Sequence, residues 1–201
     1  ADIQKRIQEK YETEVWVSQP SDEKQGDTVS WKISIEREAN RPDLPRQKMH
    51  IDVCAIPSFD IEMRPLINHY GIVVPTEGLL VPVQSLQETF ADKFIALAYR
   101  ERRMKPRDIW DIVWMRQRNV ELSKALVDKK LAAREKEQDD FYRTLTAQLE
   151  RLLNKEGVRE DFTKEMRRFI PRKIQERTLD KPEYWAYVQS EINTLGKALL
   201  S

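Results

Sequence analysis

The stretch Ser85-Leu-Gln-Glu-Thr-Phe-Ala-Asp-Lys-Phe-Ile-Ala-Leu-Ala-Tyr-Arg100 marks where this chain changes character. Ser85 followed three residues later by Glu88 is a capping box, in which a hydroxyl and a carboxylate satisfy the free amides that open a helix. Leu86, Phe90, Phe94 and Leu97 then recur at helical spacing and predict the buried side of a long helix. Upstream the period is two. Val29, Trp31, Ile33 and Ile35 alternate with Ser30, Lys32, Ser34 and Glu36, and Met49, Ile51 and Val53 alternate with His50, Asp52 and Cys54. These read as two strands of an antiparallel hairpin, with shorter strands at 14–17 and 79–83. Prolines and glycines between 56 and 78 predict irregular connections, and the turn-rich run 18–27 and the loop with Pro42 and Pro45 separate the strands.

Downstream the pattern stays helical. Pro106 stands where proline opens a helix, with Ile109, Ile112 and Val113 as its apolar stripe. Helices continue from Leu122 to the C-terminus, with breaks expected at 154–157, Pro171 and Lys181-Pro182. The expected fold is therefore α+β: a small mixed or antiparallel sheet followed by a mostly helical region, divided into residues 1–84 and 85–201. Tyr184, Trp185 and Tyr187 read as a packing cluster that seats the last helix.

Composition narrows the function. Among 201 residues the charged share is 34% and the hydrophobic share 40%, a balance that suits solvated helices better than a compact all-β domain. With 35 Lys+Arg against 34 Asp+Glu the net charge is +1, so any nucleic-acid contact must be local. Cys54 is the single cysteine, which excludes an internal disulfide framework. There is no apolar run of the roughly 20 residues that a membrane-spanning helix needs. A soluble protein of the reducing cytoplasm, with no membrane partner, is the expectation.

Three places carry candidate chemistry. Asp52 interrupts a strand, where aspartate is disfavoured; it is either a metal-binding carboxylate on an open sheet face or a surface residue paired with His50 or a lysine. Lys93 and Arg100 stand seven apart, with the small Ala96 between them on one helical face. They form either a basic groove for a triphosphate or an ordinary solvated face. In Lys105-Pro-Arg-Asp-Ile-Trp-Asp111, Asp108 and Asp111 share a face in the first two turns, and Arg107 is spaced to pair with Asp111. Asp108 suits the helix dipole in one reading and acts as a base or holds a nearby lysine in the other.

Taken together, a Glu-x-x-x-x-Lys-x-x-Ala-x-x-x-Arg helix (Glu88, Lys93, Ala96, Arg100) and then an Arg-Asp-x-x-Asp helix (Arg107, Asp108, Asp111) resemble the last two motifs of the AbiEii-type nucleotidyltransferase toxins. Ile51-Asp52-Val53 resembles the family's earlier strand motif. The resemblance covers about residues 29–116 well. It implies a polymerase-β-like fold, transfer of a nucleoside monophosphate from an NTP to an acceptor such as RNA or tRNA, Mg²⁺ as cofactor, and an antitoxin partner. It also implies roles: Asp52 as metal-site and catalytic carboxylate, Lys93 with Arg100 as nucleotide-binding residues, Asp108 as catalytic or site-organising carboxylate, and Arg107 and Asp111 as supports.

The chain departs from that family at its first motif, a Gly-Ser turn before a strand with Asp-x-Asp. Its five glycines precede Asp27, Ile72, Leu79, Val158 and Lys197, and Asp-x-Asp does not occur. Either the motif preceded Ala1 in a longer protein or the chain is a degenerate relative that natively lacks it; because the remaining motifs keep their order and Ala1 to Tyr11 already reads as a helix, the expectation is the first, with residues 1–201 alone inactive. A nuclease fits less well, since the position two beyond the strand acid Asp52 is Cys54 rather than lysine. The main rival is a non-catalytic helical module that binds an antitoxin or RNA. Its candidate contact is Arg167, Arg168, Arg172, Lys173 and Arg177, although a solvated face balanced by Glu165 and Glu176 is the expected reading of that cluster.

Overall fold

The computed structural model describes residues 2–18, 20, 28–36, 41, 43–68, 71, 73, 76, 78–100 and 102–201. The expected turns at 19 and 21–27, Pro42 and Pro75 lie outside the described residues. The chain forms two compact units, Ala1–Pro57 and Ser58–Ser201.

In the first unit, helix α1 (Asp2–Tyr11) leads into a three-stranded antiparallel sheet of β1 (Val15–Ser18), β2 (Thr28–Ile35) and β3 (Gln47–Cys54), in that order. The alternation sets the register. Val29, Trp31 and Ile33 lie opposite Val53, Ile51 and Met49, while Ser30 and Lys32 lie opposite Asp52 and His50. Among the described residues only Val15 and Ile33 of this unit are buried apolar side chains. β3 is exposed along its whole length, as an edge strand of a small unit with little interior to offer.

The second unit opens with a hairpin of β4 (Ile61–Pro65) and β5 (Leu80–Gln84). β4 corrects the expectation of irregular chain through 56–78. Ile61-Glu-Met-Arg-Pro65 alternates, and Pro65 and Pro82 are tolerated because a two-stranded ribbon leaves each strand an unpaired side. The boundary at residue 84 is where strands give way to helices; the hairpin itself groups with the helices rather than with the first sheet.

The helices are α2 (Leu86–Tyr99), α3 (Pro106–Gln117), α4 (Lys124–Ala133), α5 (Gln138–Asn154), α6 (Val158–Met166), α7 (Arg172–Gln175) and α8 (Pro182–Leu200). α2 packs on α3, α4 and α5; α3 packs on α6 and α8; α5 packs on α8. Phe90, Phe94 and Leu97 of α2 and Ile109, Ile112 and Val113 of α3 are buried as their spacing requires. Leu86 is not: it is 45% exposed, just outside the arc that Phe90, Ala91, Phe94 and Ala98 define, and the buried residue of that first turn is Glu88. Trp110 and Phe162 stand beside Tyr184 and Trp185, so the aromatics of α8 pack against α3 and α6.

The glycine at 196 marks a close approach of α5 and α8. A Cβ built there would lie 2.7 Å from Leu149 Cδ1 and 3.3 Å from its Cγ. Leu149 is itself buried, so a β-branched residue has no room to turn aside. Gly196→Val is expected to lower the unfolding free energy by about 2 kcal/mol through overpacking. In Gly196→Ala a helix-propensity gain of up to about 1 kcal/mol opposes a smaller clash. Equal melting temperatures for wild type and Gly196→Val in a thermal scan would show that the helices separate freely there.

Candidate nucleotide-binding site

The connection between α2 and α3 is held from two sides. Gln148 Nε2 of α5 donates to the Arg100 carbonyl at 2.8 Å, and Arg151 Nη2 donates to the Arg102 carbonyl at 2.9 Å. Arg103 reaches α6, where it donates to Asp161 and Glu165 at 2.6–2.7 Å. With the Arg100 and Arg102 carbonyls held, the end of α2 and the start of α3 are set in fixed relation, and Pro106 at the first position of α3 needs no amide partner.

Lys93 of α2 therefore meets both carboxylates of α3. Its Nζ lies 2.9 Å from Asp108 Oδ1 and 2.7 Å from Asp111 Oδ2. Arg100, the C-cap of α2, brings Nη2 to 2.9 Å from Asp108 Oδ2. That last contact is ionic without hydrogen-bond geometry: Asp108 Oδ2 and Arg100 Nε are both buried atoms with no hydrogen-bond partner among the described residues. The two acids differ in exposure. Asp108 is 6% exposed, whereas Asp111 is 42% exposed and Lys93 26%. Burial pushes the Lys93 ammonium down, but Asp111 and Asp108 together push it further up, and the net result lies above the usual lysine value. The lysine is charged throughout the physiological range.

The groove is thus not simply basic. Two cations face two carboxylates, and their formal charges cancel. Lys93, Arg100, Asp108 and Asp111 come together; Arg107 does not join them. Asp111 is taken by Lys93, and Arg107 turns to α6, with its guanidinium 3.8 Å from the Phe169 ring centroid and 3.8 Å from Glu165 Oε1.

Asp52 lies in the other unit. Its Oδ1 accepts a hydrogen bond from Ser30 Oγ at 2.5 Å across the β2–β3 ladder, which gives the strand aspartate a local partner, neither His50 nor a lysine. The fit to Mg²⁺ is poor. One exposed carboxylate does not make a site for an ion that gives up water reluctantly, and among the described residues no three His, Cys, Asp or Glu side chains gather as a metal site would require.

A second ion cluster escaped the sequence reading. Ser85 Oγ accepts from the Glu88 amide at 3.0 Å, as a cap should, but the Glu88 carboxylate does not return to the Ser85 amide. That amide donates to the Asp60 carbonyl instead. Glu88 accepts from Ser58 Oγ at 2.6 Å and from the Phe59 and Asp60 amides at 2.7–3.0 Å, and pairs with Lys130 of α4. Lys130 also lies 3.2 Å from Asp92, which Arg134 contacts at 2.8 Å. The available signal was Glu88 inside the apolar arc of α2, and Lys130 beside Val127 and Leu131 on the buried face of α4.

Two of the five cations of the basic ridge at 167–177 meet carboxylates. Arg167 donates to Asp180 at 2.5 Å, and Arg172 reaches Glu176 at 3.1 Å. Among the described residues no helix is long and apolar enough to cross a membrane.

The family model for the nucleotidyl transferase AbiEii toxin of type IV toxin–antitoxin systems matches residues 2–190. The chain belongs to that family. The match runs through both motif helices and into the middle of α8, beyond the span that the motifs alone carried. No curated protein and no solved structure matches the chain. Members of this family are nucleotidyltransferase-like toxins, and such transferases generally use a divalent metal.

Proposed function

We propose that the α2–α3 cluster of this AbiEii family member binds the triphosphate of an NTP, as part of a toxin that transfers a nucleoside monophosphate to an RNA acceptor and is opposed by an antitoxin. The observation that carries the reading is the Lys93 ammonium, fixed between α2 and α3 by Asp108 and Asp111 yet still open to solvent. An ammonium serves as a point charge for phosphate oxygens. Arg100 adds a second cation beside it. The burial of Asp108 between two cations favours a site-organising role over that of a mobile base.

In the transfer an acceptor hydroxyl attacks the α-phosphorus of the NTP, a new P–O ester bond forms, and pyrophosphate departs. The protein's share is positioning and charge neutralisation. This chain's residues supply the cation side of that site. The metal-binding carboxylates that such a transfer needs are not among the Lys93 cluster, and the Gly-Ser and Asp-x-Asp motif is absent from the sequence.

The test is incorporation of labelled nucleotide into total RNA with NTP and Mg²⁺. Residues 1–201 alone are expected to transfer nothing, and a polypeptide carrying Gly-Ser and Asp-x-Asp ahead of them in the native gene is expected to label RNA. Transfer by residues 1–201 alone would refute this division of the site. Failure of the longer polypeptide to transfer would favour the helical unit as a non-catalytic module that binds an antitoxin or RNA.

A further inference from the structure

The two carboxylates on Lys93 are not equivalent. Asp108 is buried, contacts both Lys93 and Arg100 at 2.9 Å, and sits in the first turn of a helix whose start is fixed by the tethered α2–α3 connection. Asp111 touches Lys93 alone among the described residues, at 2.7 Å, and is the more solvent-exposed of the two. An anion approaching the open side of the ammonium meets the Asp111 carboxylate first. That carboxylate presents to Lys93 the same chemistry as a phosphate oxygen, a delocalised anionic acceptor.

We propose that Asp111 is a built-in competitor for the triphosphate. It occupies the accessible side of Lys93 in the empty site and is displaced when phosphate oxygens bind, while Asp108 remains as the positioning residue for Lys93 and Arg100. The inference rests on the nucleotide-binding reading above and deepens it. With Asp111 in place the four-residue cluster is formally neutral; without its charge the cluster is +1, and the incoming polyanion meets a net attraction. A surface ion pair exchanges cheaply because its net worth in water is small, so displacement is accessible. A buried carboxylate between two cations does not exchange, since losing a partner strands its charge.

The removal of one unit charge about 5 Å from a polyanion, in a half-exposed site, predicts about tenfold tighter binding. The experiment is calorimetric titration of residues 1–201 with inorganic triphosphate at low ionic strength without added metal. It compares wild type, Asp111→Asn, Lys93→Met and Asp139→Asn, which removes the same charge from an exposed position in the first turn of α5. Asp111→Asn is expected to bind about tenfold more tightly than wild type and than Asp139→Asn, whereas Lys93→Met loses binding.

The two layers fail differently. If Lys93→Met weakens binding while Asp111→Asn matches wild type or binds more weakly, the competitor role is wrong and the nucleotide-binding reading stands. If Lys93→Met binds as wild type does, or if neither wild type nor Asp111→Asn binds, both fall. An equal gain in Asp139→Asn would reduce the effect to net charge and overturn the proposal. A merely structural role for Asp111 would give a loss, never a gain.

Discussion

Glu88→Ala is expected to lower the unfolding free energy by about 3–5 kcal/mol, because it takes the fully buried carboxylate from the buried Lys130 ammonium and leaves Asp92, farther off at 3.2 Å and part-exposed, to share its charge with Arg134 as well. Lys130 is 3% exposed and Glu88 fully buried, so water cannot take over. The same change frees the Phe59 and Asp60 amides and the Ser58 hydroxyl, which together fasten the approach to β4 onto α2. Denaturant unfolding of Glu88→Ala, Lys130→Met and the double variant tests the cause. The double variant is expected to recover part of the loss, since the buried ammonium goes together with the carboxylate that compensated it. If the double variant loses the sum of the single losses, the pair is not coupled and the assignment is wrong.

Acid should expose the same device. Burial pushes the Glu88 carboxyl up, but Lys130, Ser58 and the two backbone amides outweigh it and hold the group below its ordinary value of 4.5. A depressed native value means that the stabilisation is fully present above the unfolded value and is lost as pH falls through the native one. Glu88→Gln is expected to flatten that acid limb of the stability profile.

The second large effect concerns activity. In a polypeptide that transfers nucleotide, Lys93→Ala and Asp108→Ala are each expected to lower the transfer rate by at least about 100-fold, the scale seen when a group that stabilises transition-state charge is removed. Lys93→Ala acts directly, through loss of the cation. Asp108→Ala acts through position, because Lys93 would fall back on Asp111 alone and Arg100 would lose its carboxylate. Thermal melting separates the two. Asp108→Ala takes a carboxylate from both Lys93 and Arg100 and should melt lowest, whereas Lys93→Ala leaves Asp108 with Arg100 and should melt between it and wild type. Transfer undiminished in both variants would remove these residues from the site.

Much of the fold is legible in local pattern, since strands and helices leave different periods. The alternation at 29–36 and 49–54 predicts the β2–β3 pair, Ser85 and Pro106 predict the starts of α2 and α3, and 154–157, Pro171 and Lys181-Pro182 fall at helix ends. β4 was hidden by its five-residue length and flanking prolines, which argue for a loop unless a partner strand is known.

What the sequence by itself determined is the inventory and the family: an α+β chain whose two motif helices, Glu88 to Arg100 and Arg107 to Asp111, carry the AbiEii resemblance that the family model extends over residues 2–190. The tertiary structure alone decided who pairs with whom. Spacing along one helix proposes Arg107 with Asp111 and Glu88 with its own cap, because a helix makes neighbours of residues three and four apart. Packing of α2 on α3 and α4 brings stronger partners from other helices, so Asp111 goes to Lys93, Arg107 to α6 and Glu88 to Lys130. For Glu88 and Lys130 the physical reason is burial. A charge withdrawn from water takes whichever opposite charge the packing presents, and that choice depends on helix crossings that sequence separation does not encode.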